Sequence, residues 1–320
     1  MAPRTVDVPA LVDAARAGSP RAVARLISLV EDAHPALREV MAALAPHTGR
    51  AHVIGITGSP GVGKSTSTNA LVAAFRKQGK RIGILAVDPS SPFSGGALLG
   101  DRVRMQDHAL DAEVYIRSMA SRGHLGGLSW TTPQALRVLD AAGCEVVLVE
   151  TVGVGQSEVE IAGLADTTIV LLAPGMGDGI QAAKAGILEI GDVFVVNKAD
   201  RDGADATVRD IRHMISLGDR TEPGLWRPPV VKTVAQQGQG IDEVVEAIEK
   251  HTSWMEESGT LRERRIRRAG DEIESIALQA LRARMGDLRH GQGVDELAAA
   301  VVDGTTDPYA AADRIVDALA

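Results

Sequence analysis

The sequence predicts an α/β fold: a mostly parallel central sheet flanked by helices, with a helical extension before it and a helical arm after it. Three observations carry this expectation. From Ala51 onward, short apolar runs alternate with helical segments, as in a parallel sheet. Aromatic residues are only 2 % of the 320, so the core must be built from Ala, Val, Leu and Ile, which suits parallel strands covered by helices. Polar clusters recur at the carboxyl ends of the apolar runs, where ligands of open α/β sheets bind.

Residues 1–48 read as a helical preface. Val8, Leu11, Val12 and Ala15 share one helical face and Val23, Leu26, Ile27 and Val30 another, with Gly18-Ser19-Pro20 between them and a third short helix from Ala36 to Leu44. Residues 49–252 hold the sheet, with strands expected at 53–57, 82–87, 114–118, 146–150, 168–173, 193–197 and 229–233. The helix after the first strand runs to about Gln78, turns Leu71, Val72 and Phe75 inward and is capped by Gly79. Residues 253–320 form the arm: a long helix over 260–285 with Ile266, Ala269, Ile273, Ile276 and Ala280 at heptad-like spacing, then helices at 293–303 and 307–319. An arm with an apolar stripe and little core of its own is a candidate for packing on a second copy of the chain.

Composition narrows the function classes. A net charge of −8 argues against a general nucleic-acid or anionic-membrane surface. The basic cluster Arg262-Glu263-Arg264-Arg265 with Arg267-Arg268 reads as a solvated helix face. One cysteine, Cys144, allows no internal disulfide and no Cys-x-x-Cys metal site, so a reducing, cytoplasmic setting is expected. The first residues have no apolar signal core, and no stretch is long enough to span a bilayer. The eight histidines are scattered and read as surface or cap residues rather than ligands.

Gly58-Ser59-Pro60-Gly61-Val62-Gly63-Lys64-Ser65 fits the phosphate-loop pattern, with Thr66 continuing into the helix. Its glycines let successive backbone N–H groups turn toward a phosphate, and the helix that follows aims its positive end at the same anion. Lys64 is expected at the β- and γ-phosphates and Ser65 at Mg²⁺. Asn197-Lys198-Ala199-Asp200 ends a later strand. A carboxylate at Asp200 accepts from guanine N1–H and the 2-amino group, which adenine does not present, while Asn197 braces the loop and Lys198 lies along the base. GTP and GDP are the expected nucleotides.

Two further strands end in carboxylates, Asp88 and Glu150, each at the edge where the metal would sit. Asp88 also reads as a helix N-cap before Pro89, and Glu150 as a strand-end charge. Gly153 is placed to touch the γ-phosphate and to report hydrolysis through the loop Thr151 to Glu160. The glycine-rich stretch from Pro89 to Asp107 is a candidate first switch, with Asp101 an outer metal contact and Arg104 a phosphate or partner contact. Pro174 to Gly179, with Asp178 and the following Lys184, is another flexible stretch. Plain loop connections compete with both readings. Val154, not Gln, follows Gly153, so slow hydrolysis by the isolated chain is expected, with Gln156 a candidate for orienting the water.

With these residues assembled, the chain resembles the methylmalonyl-CoA mutase-associated GTPases, the MeaB/ArgK family, within the signal-recognition and nickel-insertion class of P-loop GTPases. The likeness runs through Gly58 to Ser65, Val87-Asp88-Pro89-Ser90-Ser91-Pro92, Gly100-Asp101-Arg102, Arg122 to Leu128, Glu150 to Glu158 and Asn197 to Asp200. It implies a P-loop fold, a homodimer joined through the C-terminal arm, and a GTP state that governs loading of adenosylcobalamin into methylmalonyl-CoA mutase and protects or rescues that enzyme. It also implies that Lys64, Ser65, Asp88, Asp101 and Glu150 surround Mg²⁺ and the phosphates, with Lys64, Glu150 and Asp101 catalytic, and that Pro174 to Gly186 is a third switch that meets the partner. Where relatives commonly carry Ser-Ala or Ser-Gly over the base, this chain has Val234-Ala235, which leaves backbone contact to guanine.

Three other functions compete. A nickel metallochaperone would need clustered Cys and His, which are lacking. A kinase acting on a periplasmic transport-binding protein would need an acceptor pocket and a base beside the γ-phosphate. A nucleotide-stabilised scaffold would tolerate loss of Lys64. No corrin-binding motif is present, so the cobalamin link comes from the resemblance.

Overall fold

The structure, a computed structural model, describes residues 6–88, 108, 110–120, 131–151, 157–175, 188–217, 224–289 and 293–317. Two compact units divide the chain, 1–265 and 266–320. In the first, seven strands form one sheet: β1 His52–Thr57, β2 Ile82–Asp88, β3 Val114–Ala120, β4 Val146–Thr151, β5 Thr167–Leu172, β6 Val193–Val196 and β7 Val230–Lys232. Their order is β3-β2-β4-β1-β5-β6-β7, and every pairing is parallel. Each strand lies within two residues of its sequence expectation at either end. All carboxyl ends therefore share one edge.

Period-two alternation sorts the strand side chains onto two faces. Ile54, Ile56, Ile82, Ile84, Leu148 and Ile169 point to one side, where α4 (Lys64–Lys77) and α8 (Ile241–Ser258) cover them. Val53, Leu85, Val87, Val147 and Val149 point to the other. There α5 (Thr132–Ala141) and α6 (Ser157–Leu164) pack together with α1 (Val8–Arg16), α2 (Pro20–Glu31) and α3 (Leu37–Leu44). The preface is thus continuous with the core of the sheet: Leu26, Ile27, Leu29 and Val30 of α2 are fully buried in the same cluster as Leu139 and Val149. Asp7 and Ser19 cap α1 and α2, each followed by a proline in the first turn. Helix α7 (Ala204–Leu217) covers Phe194 and Val196 at the far edge.

At the amino ends of β5 and β6 two buried carboxylates, Asp166 and Asp192, accept from the backbone N–H groups of Val53 and Thr168, at 3.0 and 2.9 Å. Arg264 and Arg265, at the start of α9 (Thr260–Arg289), reach in to meet them. Arg264 grips Asp192 through both guanidinium nitrogens at 2.9 Å and also donates to the Asp166 carbonyl. Arg265 binds the Asp166 carboxylate and the carbonyls of Gly49 and Ala51. Arg262, Glu263 and Arg267 are exposed, as a solvated face requires, but Arg264 and Arg265 of the same cluster are not part of it. The charges that recruit these two stand ahead of apolar strands, far away in sequence. Nor are all histidines superficial: His251 is fully buried, with Nδ1 2.8 Å from the Thr167 hydroxyl, which also lies 2.9 Å from His52 Nε2.

The second unit continues α9 and adds α10 (Gly293–Val302) and α11 (Pro308–Asp317). Along α9, Ile266, Ile273 and Ile276 are 59 %, 69 % and 43 % exposed, so the heptad stripe faces outward. No helix among the described residues is long and apolar enough to cross a membrane.

Arg264→Ala removes the guanidinium from a buried carboxylate, and urea unfolding is expected to show a loss of roughly 3 kcal/mol at an unchanged m value. A second expectation concerns pH. Burial pushes the His52 imidazole down to about 4, opposed by Asp166 and reinforced by Arg265. The fold keeps His52 neutral while the unfolded chain takes a proton near 6.5, so this stabilisation is complete above that pH and is lost as pH falls toward 4. His52→Gln is expected to flatten the unfolding free energy in this window by up to about 1.4 kcal/mol per pH unit.

Candidate functional site

Strand β1 delivers the chain into the Gly58–Gly63 turn, and α4 begins immediately at Lys64. Two glycines in this turn are obligatory. Gly58 has φ +142°, and a Cβ there would lie 2.3 Å from the Leu171 carbonyl oxygen. Gly63 has φ +99°, and a Cβ there would meet the Asn197 side-chain nitrogen at 2.4 Å. No side chain caps the first turn of α4, so its orphan N–H groups and its positive end serve the turn in front of it. Lys64, buried, donates to the carbonyls of Gly58 and Ser59 at 2.6 and 3.2 Å. Its ammonium thus lies over the loop rather than in solvent.

Glu150, near the end of β4, pairs in register with Ile56 of β1 and Ala86 of β2, which brings its carboxylate beside α4. Ser65 Oγ donates to Oε1 at 2.7 Å and Thr68 Oγ1 to Oε2 at 3.1 Å. Glu150, Ser65 and Thr68 are all buried. Among the described residues no group of three His, Cys, Asp or Glu converges to form an all-protein metal cage. A hydroxyl and a carboxylate within hydrogen-bond distance, beside a phosphate-type turn, instead fit Mg²⁺. That ion takes one or two hard oxygen donors from a protein and fills its octahedron with phosphate oxygens and water.

The carboxyl end of β6 supplies Asn197, whose buried side chain ties three segments together. Its Nδ2 donates to the Val62 carbonyl at 2.9 Å, and its Oδ1 accepts from the Ala235 N–H at 3.0 Å and from the Thr233 hydroxyl at 3.2 Å. Val234 exchanges backbone hydrogen bonds with Gln239, which holds the Val234-Ala235 turn in shape. Lys198 sits in the left-handed region at φ +58°, a costly conformation for a side-chain-bearing residue, and donates to the Gly61 carbonyl at 2.6 Å. Asp200 stands exposed just beyond it. A cavity of about 420 Å³ opens between α4 and α8, with Thr66, Asn69, Ala70, Ala235, Gln236 and Ile241 among its walls.

The structure therefore brings Gly58 through Thr66, Glu150, Asn197, Lys198, Asp200, Val234 and Ala235 to one edge of the sheet. Asp88 closes β2 at the same edge. Asp101, Arg104, Gly153, Gln156, Asp178 and Lys184 lie outside the described residues. Sequence reasoning missed Thr68 and Thr233. A hydroxyl three residues after Ser65 on one helical face, and another directly before Val234-Ala235, were the available signals.

Comparison with known proteins agrees with this arrangement. The family model described as methylmalonyl Co-A mutase-associated GTPase MeaB matches residues 23–290. A protein of Pyrococcus abyssi that carries a GTPase name is 47 % identical over 308 residues, spanning 96 % of this chain and 95 % of that one. The mouse protein named methylmalonic aciduria type A homolog, mitochondrial, is 36 % identical over 269 residues, 78 % of this chain and 64 % of its own. A crystal structure described as an LAO/AO transport system kinase matches with a TM-score of 0.73 at 26 % identity, over 98 % of this chain and 97 % of that one. With its parallel seven-stranded sheet and strand–turn–helix phosphate loop, the chain belongs to the MeaB family of P-loop GTPases.

Proposed function

We propose that this GTPase binds GTP together with Mg²⁺ at the Gly58–Thr66 turn and acts as a chaperone of adenosylcobalamin-dependent methylmalonyl-CoA mutase, gating cofactor loading and protecting or reactivating that enzyme. The observation that carries the nucleotide site is the Asn197 bond to the Val62 carbonyl, which locks the phosphate turn to the loop bearing Asp200. The family description and the name of the mouse relative support the mutase as client.

In this reading the backbone N–H groups after Gly58 and the start of α4 hold the β- and γ-phosphates. Lys64 exchanges its loop carbonyls for phosphate oxygens and balances their charge. Bound Mg²⁺ would neutralise developing phosphate charge; Ser65 and Glu150 would hold it, and Asp88 and Asp101 are assigned to it as further contacts. Asp200 accepts from the guanine N1–H and 2-amino group, and Asn197 fixes the spacing between base and phosphates. Gly153 and the stretches containing Arg104, Gln156, Asp178 and Lys184 are assigned to switching and to partner contact. The outward stripe Ile266, Ile273 and Ile276 is assigned to a homodimer through the arm, in a cytoplasmic protein.

A second reading, a kinase, is favoured only by the name of the solved relative. Transfer of label from γ-labelled GTP to a transport-binding protein would support it.

Asp200→Asn exchanges the acceptor that guanine needs for a donor that suits xanthine. GTP affinity is expected to fall by roughly 100-fold, in line with two hydrogen bonds to a charged group, while XTP binding improves. Competition binding against both nucleotides checks this. The client assignment is tested by GTP turnover of the purified chain with and without methylmalonyl-CoA mutase. A low rate alone and a many-fold rise with the mutase are expected; an unchanged rate with GTP still bound would remove this client.

A further inference from the structure

The contact that neither the phosphate-loop pattern nor the base-reading motif accounts for is that of Thr68 with Glu150. Thr68 is fully buried in α4, and its hydroxyl lies 3.0 Å from the Lys64 carbonyl and 3.1 Å from Glu150 Oε2. A threonine inside a helix commonly returns its hydroxyl proton to the carbonyl four residues earlier. Here that account is incomplete, because a hydroxyl has one proton and an ionised carboxylate can only accept. With the proton on Lys64, two lone-pair-bearing oxygens would face each other at 3.1 Å in a buried site. Charge therefore favours donation to Glu150, with the Lys64 carbonyl as a secondary acceptor.

Ser65 and Thr68 are three residues apart and so lie on one face of α4. Between them they address both oxygens of one carboxylate, Oε1 from Ser65 at 2.7 Å and Oε2 from Thr68. Ser65 has a second task in the reading above: its oxygen lone pair would serve the metal while its hydroxyl proton is donated to Glu150. A single donor on Oε1 resists rotation of the carboxylate about its last bond less than donors on both oxygens do. The Thr68 donor on Oε2 adds to that resistance.

We propose that Thr68 is a positioning residue for Mg²⁺, acting through Glu150: its hydroxyl holds Oε2 so that Oε1 and the Ser65 hydroxyl keep the spacing the hydrated ion needs. The proposal rests on the reading that Ser65 and Glu150 serve Mg²⁺. It adds a residue that the reading assigns neither to the nucleotide nor to the metal.

The test is a Mg²⁺ titration of GDP release, followed with a fluorescent GDP, on the full-length chain and on Thr68→Val, Thr68→Ser and Ser65→Ala. Thr68→Val keeps the shape of the side chain and removes the donor. It is expected to raise the Mg²⁺ concentration for half-maximal slowing of GDP release by roughly tenfold or more, with GDP affinity in EDTA within about twofold of the parent. Thr68→Ser is expected to restore the parental Mg²⁺ dependence. A packing role would weaken GDP binding equally with and without Mg²⁺, and that result overturns the proposal. So does a Thr68→Val protein whose Mg²⁺ dependence equals that of the parent. If Thr68→Val does not fold, Thr68→Ala is read in its place, with Thr68→Ser as the rescue. Failure of the underlying reading looks different: parent and Ser65→Ala would then both release GDP at a rate indifferent to Mg²⁺.

Discussion

One primary amide holds the candidate site together. Asn197 uses a donor toward Val62 in the phosphate turn and an acceptor toward Thr233 and Ala235, so a single buried side chain fixes the distance between segments far apart in sequence. Both functions of the amide are needed at once, and an ionised carboxylate, which only accepts, cannot supply them. Neighbouring features depend on it. Gly63 is restricted to glycine because the amide nitrogen stands where a Cβ would be. The strained Lys198 backbone follows directly after it and directs the ammonium to Gly61. Buried and fully engaged networks of this kind rigidify a site, whereas half-satisfied ones destabilise it.

The carboxylate network on the other side of the phosphate turn follows the same logic with different chemistry. Glu150 is buried, yet it is met by two hydroxyls from one helical face. Its placement is a consequence of parallel register, since β4 lies between β1 and β2 and all three run out at one edge. The sheet decides which strand ends meet, and α4 decides which oxygens they find. The phosphate-loop turn and the acidic strand end are thus coupled through the first turns of a single helix.

Much of the fold was legible because it is written in local pattern. Val53 to Thr57, Val146 to Glu150 and Val193 to Val196 are apolar runs bounded by polar turns, and the phosphate turn is a contiguous string. What escaped is chemistry assembled from distant residues. Thr68 looks like any helical threonine until β4 places Glu150 beside it. Thr233 looks like a strand end until Asn197 arrives. Arg264 and Arg265 look like a charged helix surface, because nothing near them in sequence shows that Asp166 and Asp192 are sealed at the feet of β5 and β6. The helical preface likewise reads as separate along the chain, although its apolar faces join the same core as the sheet.

Those two arginines also fix where the first unit ends. They are the last residues of the first unit, and they are fastened to carboxylates that hydrogen-bond the backbone of β1 and β5. The first unit thus ends on residues fastened at the feet of its central strands rather than on a peripheral helix. Strand β6 starts directly after one anchor, Asp192, and ends directly before Asn197. The four residues of β6 thus separate a buried ion pair at the foot of the sheet from the amide that spaces two loops at its other end.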